Sequence, residues 1–190
     1  MSLFQNIIII MLLIAGAGFL SLSEIALAAA RKVKLKILAE SGEIRAQKVL
    51  DLQEQSADFF AASQIGLNAV AILGGILGEA AFRPFFVELI VQFYRGPWLE
   101  TIGFALSFTM VTSLFILFAD LMPKRLAMIA PEKIAISVIE PIQIFIRICK
   151  PLAWGINAIA NVLFRVFKVN TVRDDNMTFD DISAVMDAGA

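Results

Sequence analysis

The first apolar run, residues 3–29, constrains what this chain can fold into more than any other feature. A helix needs about 20 apolar residues to cross the hydrocarbon core of a bilayer, and this run exceeds that length. Basic residues follow the run instead of preceding it, which is the reverse of a cleaved signal peptide. The run therefore predicts a membrane-spanning helix with its N-terminus outside and the following basic residues inside, at Arg31, Lys32, Lys34 and Lys36.

Two further apolar runs predict two more crossings. The second covers residues 59–82, where Arg83-Pro84 ends or kinks it, and the chain continues apolar to a turn at residues 95–97. That turn carries little positive charge, so we expect it outside the cytoplasm. The third run extends from about residue 102 to residue 122, and basic charge returns directly after it. With 59% hydrophobic residues and a mean hydropathy of +0.81, the chain is predicted to be an integral membrane protein.

The other segments predict helices on the cytoplasmic side. Residues 31–57 are expected to form one charged helix, either a solvated connector or a helix in the headgroup region. Pro131, Pro141 and Pro151 divide a later apolar region into segments of about ten residues, which are too short to cross. A fourth crossing at residues 151–167 is the alternative, and the positive-inside rule disfavours it. The predicted fold class is an all-α membrane protein with three transmembrane helices and a cytoplasmic juxtamembrane helical belt.

The last residues are acidic and polar. Residues 178–181, Thr-Phe-Asp-Asp, have the form of a capping box that opens a short helix through residue 188. We expect a membrane domain at residues 1–173, followed at residues 174–190 by the start of a linker toward a further module.

The residue types that the chain lacks disfavour several activities. Without histidine, neither a His-based catalytic triad nor imidazole metal ligation can be built. The single Cys149 cannot form an intrachain disulfide, which favours a structural role. A net charge of −1 with both signs interspersed disfavours nucleic acid as a partner. The sequence contains no nucleophile–base pair and no cofactor-binding loop. We therefore expect no enzymatic activity and assign no cofactor from these residues.

Polar side chains interrupt all three runs, and the predicted topology places them in the cytoplasmic half of the bundle. A charged residue in a span costs roughly 2.5–3.5 kcal/mol at the bilayer centre, so it usually faces a partner or a watery cavity. Hydroxyl, amide and carboxylate oxygens are ligands for cations. We therefore predict a cation site formed by Ser21, Ser23, Glu24, Ser63, Asn68 and Asp120, with Gln64 beside them.

Several of these residues also have a structural interpretation. A membrane serine commonly bonds the carbonyl four residues back. Glu24 can snorkel to the interface, and Lys124 can act as a basic anchor. Ser63 and Asn68 are five residues apart and share no helix face, so a local unwinding near Gly66 is expected if both bind.

Glu79, Pro123 and Lys124 are predicted to control helix shape or access. Glu79 lies roughly 16 Å from Asn68 along an ideal helix and is expected to be a gate or an outer boundary. Pro123, beside Lys124, removes an amide donor and frees a carbonyl, which predicts a helix break.

Gly74 and Gly78 match the small-xxx-small pattern of close helix packing, from which we expect a homodimer.

Three segments resemble signatures of the CorC/CNNM membrane-domain family. They are residues 21–27 (Ser-Leu-Ser-Glu-Ile-Ala-Leu), 64–68 (Gln-Ile-Gly-Leu-Asn) and 120–124 (Asp-Leu-Met-Pro-Lys). The resemblance covers essentially the whole chain and implies a three-span dimer in the bacterial inner membrane with a cytoplasmic C-terminus. It also implies a following CBS-pair module that binds adenine nucleotides, which we expect this chain not to reach.

The resemblance implies two substrate classes. It implies an inward-facing Mg²⁺ site that maps onto Ser21, Ser23, Ser63 and Asn68. The third segment departs from the usual Gly-Glu-x-x-Pro-Lys, since the acid here is Asp120, and residues 64–82 are closer to a polyamine-exporting branch. Export of putrescine and cadaverine is thus implied first, with Mg²⁺ or Co²⁺ efflux and a regulatory cation-sensing subunit as alternatives.

The residues themselves leave this choice open. Mg²⁺ requires a compact set of near-octahedral oxygens at about 2.1 Å, which the crowding of serines and asparagine favours. A diamine requires separated acids, which Glu24, Asp120 and Glu79 provide along one route.

Overall fold

A computed structural model describes residues 3–166, which form helices joined by short turns. The helices are α1 (Leu3–Ala29), α2 (Lys32–Glu40), α3 (Ile44–Glu54), α4 (Ser56–Val91), α5 (Leu99–Leu114), a π-helical segment (Phe115–Leu121), α6 (Met122–Ile129) and α7 (Pro131–Val166). The chain divides into two compact units, Met1–Ala153 and Trp154–Ala190, and the features below lie in the first.

Three stretches of the described residues are long and apolar enough to cross a membrane: Phe4–Ala29, Phe59–Val91 and Leu99–Ile129. They confirm the three predicted crossings and the all-α fold class. The second span does not end at Arg83-Pro84, because α4 continues as a helix through Pro84 to Val91. The third is longer than expected, since α6 continues it beyond residue 122 to Ile129.

Glycines in the second span let α4 pack closely against the third span of the same chain. A Cβ added at Gly74 would collide with the Phe115 ring, and one added at Gly78 would collide with Val111. The close helix packing predicted from the small-xxx-small pattern is therefore confirmed within one chain, and the homodimer stays a prediction.

The charged segment after α1 forms two helices, not the single helix expected over residues 31–57. The chain turns at Gly42, whose φ of +100° is left-handed and favours glycine. The Glu43 side chain then accepts a hydrogen bond from the Arg45 amide at the start of α3. The buried faces of α2 and α3 share a hydrophobic cluster with α7 that includes Leu35, Val49 and Ile139.

Ion pairs join the start of α7 to α2 and α3. Glu132 accepts from Arg31 at 3.1 Å and lies 3.6 Å from the Lys34 ammonium, while Lys48 lies 3.2 Å from Glu140. Burial alone would raise the pKa of Glu132, but the backbone amides, Arg31 and Lys34 together hold it below its usual value.

The prolines do not divide the belt into segments of about ten residues, so that expectation is wrong. α7 is one helix with Pro141 and Pro151 inside it. Both prolines occupy exposed positions, so the carbonyls that they leave unpaired fall on the outer face, while Val138 and Ile142 stay buried. The capping box and the linker predicted beyond residue 173 lie outside the described residues.

Candidate cation-binding site

A cavity of about 290 Å³ opens between the three spans. Most of its lining side chains are apolar or small, and the polar ones are Glu24, Gln64, Asn68, Asp120 and Lys124. These come from all three of the polar segments that the sequence places at one depth. The fold therefore brings members of each segment to one cavity.

One face of α1 supplies the acidic side of this cavity. Ala17, Ser21 and Glu24 share that face because residues three and four apart on a helix are neighbours. Ala17 and Glu24 line the cavity. The Ser21 hydroxyl donates a hydrogen bond to the Asp120 carboxylate at 3.1 Å and so joins α1 to the third span.

Like Ser21, the two other predicted serines do not line the cavity. The Ser23 hydroxyl donates to the Phe19 carbonyl of its own helix at 2.7 Å, which is the structural arrangement considered for membrane serines. Ser63 is fully buried, and its hydroxyl oxygen has no hydrogen-bond partner in the described part of the chain. Because buried polar atoms are normally paired, Ser63 retains capacity for a ligand or a water.

α4 supplies two amide side chains from a regular helix. It is unbroken through residues 63–68, so the local unwinding expected there is wrong. Gln64, Asn68 and Ala71 follow one another at four- and three-residue spacing, and all three line the cavity. Gly66 instead permits close packing, since an added Cβ would lie 2.6 Å from the Phe145 ring.

The irregular backbone lies in the third span. Its π segment ends directly before α6, whose second residue is Pro123. π-helical turns often occur at functional sites. Gly18 of α1 packs against this region, because an added Cβ would lie 3.2 Å from both the Phe118 carbonyl oxygen and the Pro123 ring. This close approach brings the backbone next to Asp120 against α1.

The two carboxylates of the cavity differ in their partners. Asp120 is 2.5 Å from the Lys124 ammonium, one helical turn further on, and also accepts from Ser21. Glu24 is half-buried and has neither a hydrogen bond nor an ion pair with any residue in the described range. Glu24 is therefore the uncompensated negative charge of this cavity.

Glu79 lies in a second cavity, of about 590 Å³. Its carboxylate pairs with Arg83 one turn further on, and the Arg83 guanidinium lies 5.4 Å from the centre of the Phe104 ring. Ala71 lines both cavities, so they are neighbours along α4. The gate role of Glu79 stays a prediction.

The polar lining of this cavity consists of two carboxylates, two side-chain amides and one lysine. The described residues contain no group of three or more His, Cys, Asp or Glu side chains that could hold a metal ion. Of the four residues that the resemblance assigns to Mg²⁺, only Asn68 lines the cavity. Ser21 and Ser23 direct their hydroxyl hydrogens to Asp120 and Phe19.

Two parts of this arrangement were missed from the sequence. The contact at Gly18 could have been anticipated, because Gly18 lies three residues before Ser21 and shares its helix face. The π segment has no residue signature of its own apart from Pro123 after it.

The three spans and the polar cavity between them define a polytopic α-helical membrane protein with an intramembrane polar site. Residues 8–190 match the Cyclin M transmembrane N-terminal domain, and the chain belongs to this CNNM family. The family resemblance drawn from the three motifs is confirmed.

Bacterial relatives share the sequence of this membrane domain. The polyamine export protein of Escherichia coli K12 is 52% identical over 186 residues, which are 98% of this chain and 42% of that protein. The protein of that name from Salmonella typhimurium is 53% identical with the same coverage. That from Haemophilus influenzae is 45% identical over 100% of this chain and 44% of its own length. The chain thus spans less than half of the length of these curated relatives.

Proposed function

We propose that this chain is the membrane domain of an exporter of small organic dications, with putrescine and cadaverine as its substrates. The observation that carries the proposal is Glu24, a carboxylate in a cavity between the spans with no partner in the described structure. A cationic ligand would neutralise such a charge within the membrane. The relatives named polyamine export protein support the same substrate class.

The cavity offers a distinct environment to each part of a diamine. An ammonium group has three N–H donors, which Glu24 and the side-chain oxygens of Gln64 and Asn68 can accept. The methylene chain can lie against apolar lining such as Leu67 and Phe115. The second ammonium then reaches the Asp120 carboxylate across the cavity.

Lys124 acts in this mechanism as a tethered counter-cation. It neutralises Asp120 while the cavity holds no substrate. A substrate ammonium at Asp120 takes over that role, and Lys124 moves away because two cations repel each other. When the substrate leaves, Lys124 pairs with Asp120 again, so the acid is never left without a positive partner.

Glu79 and Arg83 repeat this pairing in the neighbouring cavity. A diamine that moves outward along α4 meets Glu79 next, and its ammonium can displace Arg83 in the same way. We assign the pair to the outward gate of the route.

The proposed setting is the bacterial cytoplasmic membrane, with the N-terminus periplasmic and the C-terminus cytoplasmic. The basic residues after the first and third spans support this orientation. A homodimer is proposed because three spans are too few to shield a polar route from lipid, and Ile72 and Ile76 beside the second cavity are 63% and 61% exposed. Adenine-nucleotide control through a CBS-pair module stays a prediction.

Efflux of Mg²⁺ or Co²⁺ is the second candidate, and the unpaired hydroxyl of Ser63 favours it. That hydroxyl, with Asn68 and the remaining lone pairs of Ser21 and Ser23, would supply neutral oxygens. A regulatory subunit that senses a cation for another transporter would bind the same ligands and move neither.

Flux through the purified protein in liposomes tests the three functions together. Labelled putrescine and Mg²⁺ are measured in parallel, with protein-free liposomes as the control. The proposal expects saturable putrescine flux. Flux of Mg²⁺ alone would establish the second candidate, and binding without any flux would establish the sensing subunit.

A further inference from the structure

The second cavity places a carboxylate beside an aromatic wall. Glu79 is the only charged residue among the described ones that line it, and Phe104 and Phe108 line it from α5. Their two rings are stacked, with centres 5.9 Å apart and planes 14° from parallel. The Glu79 side chain keeps 13% of its area accessible, so the carboxylate is within reach of a ligand in the cavity.

Arg83 shows how these groups hold a guanidinium. Its Nε donates to the Glu79 carboxylate, and its Cζ lies 5.4 Å from the centre of the Phe104 ring. A guanidinium is planar and weakly hydrated, so it can pair with a carboxylate and stack on an aromatic face at the same time. Arg83 is not part of the cavity lining, and its side chain is 41% exposed. The same two partners can therefore hold a guanidinium from outside the protein when Arg83 turns away.

The two cavities offer different surroundings to a cation. Glu24, Gln64 and Asn68 supply the first with oxygens that accept from a compact ammonium, whose strong hydration they replace. The second has about 590 Å³ against about 290 Å³, and apart from Glu79 and Thr112 its described lining is apolar. It therefore suits a cationic group that is larger and more weakly hydrated than an ammonium.

We propose that the second cavity is a guanidinium-binding site and that the substrates include amines with a guanidinium at one end. The guanidinium pairs with Glu79 and stacks on Phe104, in the place that Arg83 otherwise takes. Agmatine, which is 4-aminobutylguanidine, is a simple amine of this class. Transport of such amines rests on the proposed function, whereas binding at the second cavity does not depend on it.

Other occupants would use only part of this site. Mg²⁺ requires about six oxygens, and Glu79 is the one carboxylate of the described lining. A primary ammonium can pair with Glu79, but the aromatic wall does not replace its water. A lipid acyl chain can lie against the apolar lining, but its binding would not respond to the charge of Glu79.

Binding of labelled agmatine to the protein in lipid nanodiscs tests the site, with empty nanodiscs as the control. A Glu24→Gln background weakens the first cavity and should keep saturable agmatine binding. Butylguanidine should displace the label more strongly than butylamine, which has the same chain and an ammonium in place of the guanidinium.

Two variants with matched controls locate the binding. Phe104→Leu should weaken agmatine binding about fivefold and Glu79→Gln about tenfold. Phe85→Leu and Glu88→Gln are the controls and should leave it unchanged, because both residues are exposed in the second span and lie outside both cavities.

Replacing Arg83 distinguishes an internal competitor from a structural ion pair. Arg83→Gln should tighten agmatine binding about tenfold, because a tethered guanidinium no longer competes for Glu79. Weaker or unchanged binding in this variant would overturn the proposal, as would equal effects of Phe104→Leu and Phe85→Leu or equal displacement by butylamine.

Flux in liposomes separates this inference from the proposed function. Saturable agmatine flux is expected beside putrescine flux, and agmatine that binds without being carried would overturn the wider substrate class. Putrescine flux with agmatine binding lost in Glu24→Gln would refute the second site alone. Agmatine binding that depends on Glu79, without flux of either amine, would refute export and leave the site in place.

Discussion

Replacing Glu24 by glutamine removes the charge of the cavity's unpaired acid and keeps its size. Two unit charges 4 Å apart attract by about 1 kcal/mol in bulk water and by about 4 kcal/mol at the effective dielectric of a protein surface. Glu24 is half-buried, so its attraction for an ammonium lies between these limits. A loss of about 2 kcal/mol corresponds to roughly 30-fold weaker binding of putrescine.

Binding of labelled putrescine to protein in lipid nanodiscs measures this effect, and export from liposomes should fall in parallel. Glu24→Gln should not lower the melting temperature, because removing a membrane acid without a partner eases insertion. Glu88→Gln is the matched control, since Glu88 is an acid in the second span outside both cavities. Unchanged putrescine affinity in Glu24→Gln would refute the role of this carboxylate.

Four other predictions follow from named contacts. Lys124→Gln should tighten diamine binding and slow its release, because Asp120 loses its tethered partner; stopped-flow exchange of labelled putrescine would show faster release if the lysine were only an anchor. Gly78→Ala should destabilise the protein by about 1–3 kcal/mol through its clash with Val111, whereas Gly75→Ala, with open space around it, should not, as judged by thermal unfolding. Stability should fall in acid, because folding holds the pKa of Glu132 below its usual 4.5. The stabilisation from the charged Glu132 is therefore present above pH 4.5 and is lost as the pH drops through the pKa of the folded state. Glu132→Gln should flatten the acid limb of a plot of melting temperature against pH, and an unchanged acid limb would contradict this. Cysteine at exposed Arg95, in a Cys149→Ser background, should react with an impermeant maleimide only from the periplasmic side, and labelling from the cytoplasm alone would reverse the topology.

The sequence predicts the spans well because bilayer thickness sets a length that an apolar run either reaches or does not. The sequence also predicts that the three polar segments lie at one depth in the membrane. Glu24, Asn68 and Asp120 do line one cavity. The side of the helix on which a side chain lies follows helix periodicity. Ser23 is two residues from Ser21 and therefore lies on a different face, where its hydroxyl bonds a carbonyl of its own helix.

Prolines and glycines were the less reliable signals. Pro84, Pro141 and Pro151 all lie inside continuous helices, where an exposed or locally compensated carbonyl tolerates the missing amide. The glycines of α4 pack against the same chain, which is a matter of partner geometry that a spacing pattern cannot specify. The π segment lies where the third span packs against Gly18, and its own residues carry no pattern that predicts it.

A structure of the protein determined with saturating cadaverine tests the central claim most directly. We expect the diamine in the cavity between the three spans, with one ammonium at Glu24 and Asn68 and the other at Asp120, and with Lys124 turned away. Cadaverine bound elsewhere, or Mg²⁺ bound at the Ser63 hydroxyl with no diamine in the cavity, would contradict this expectation.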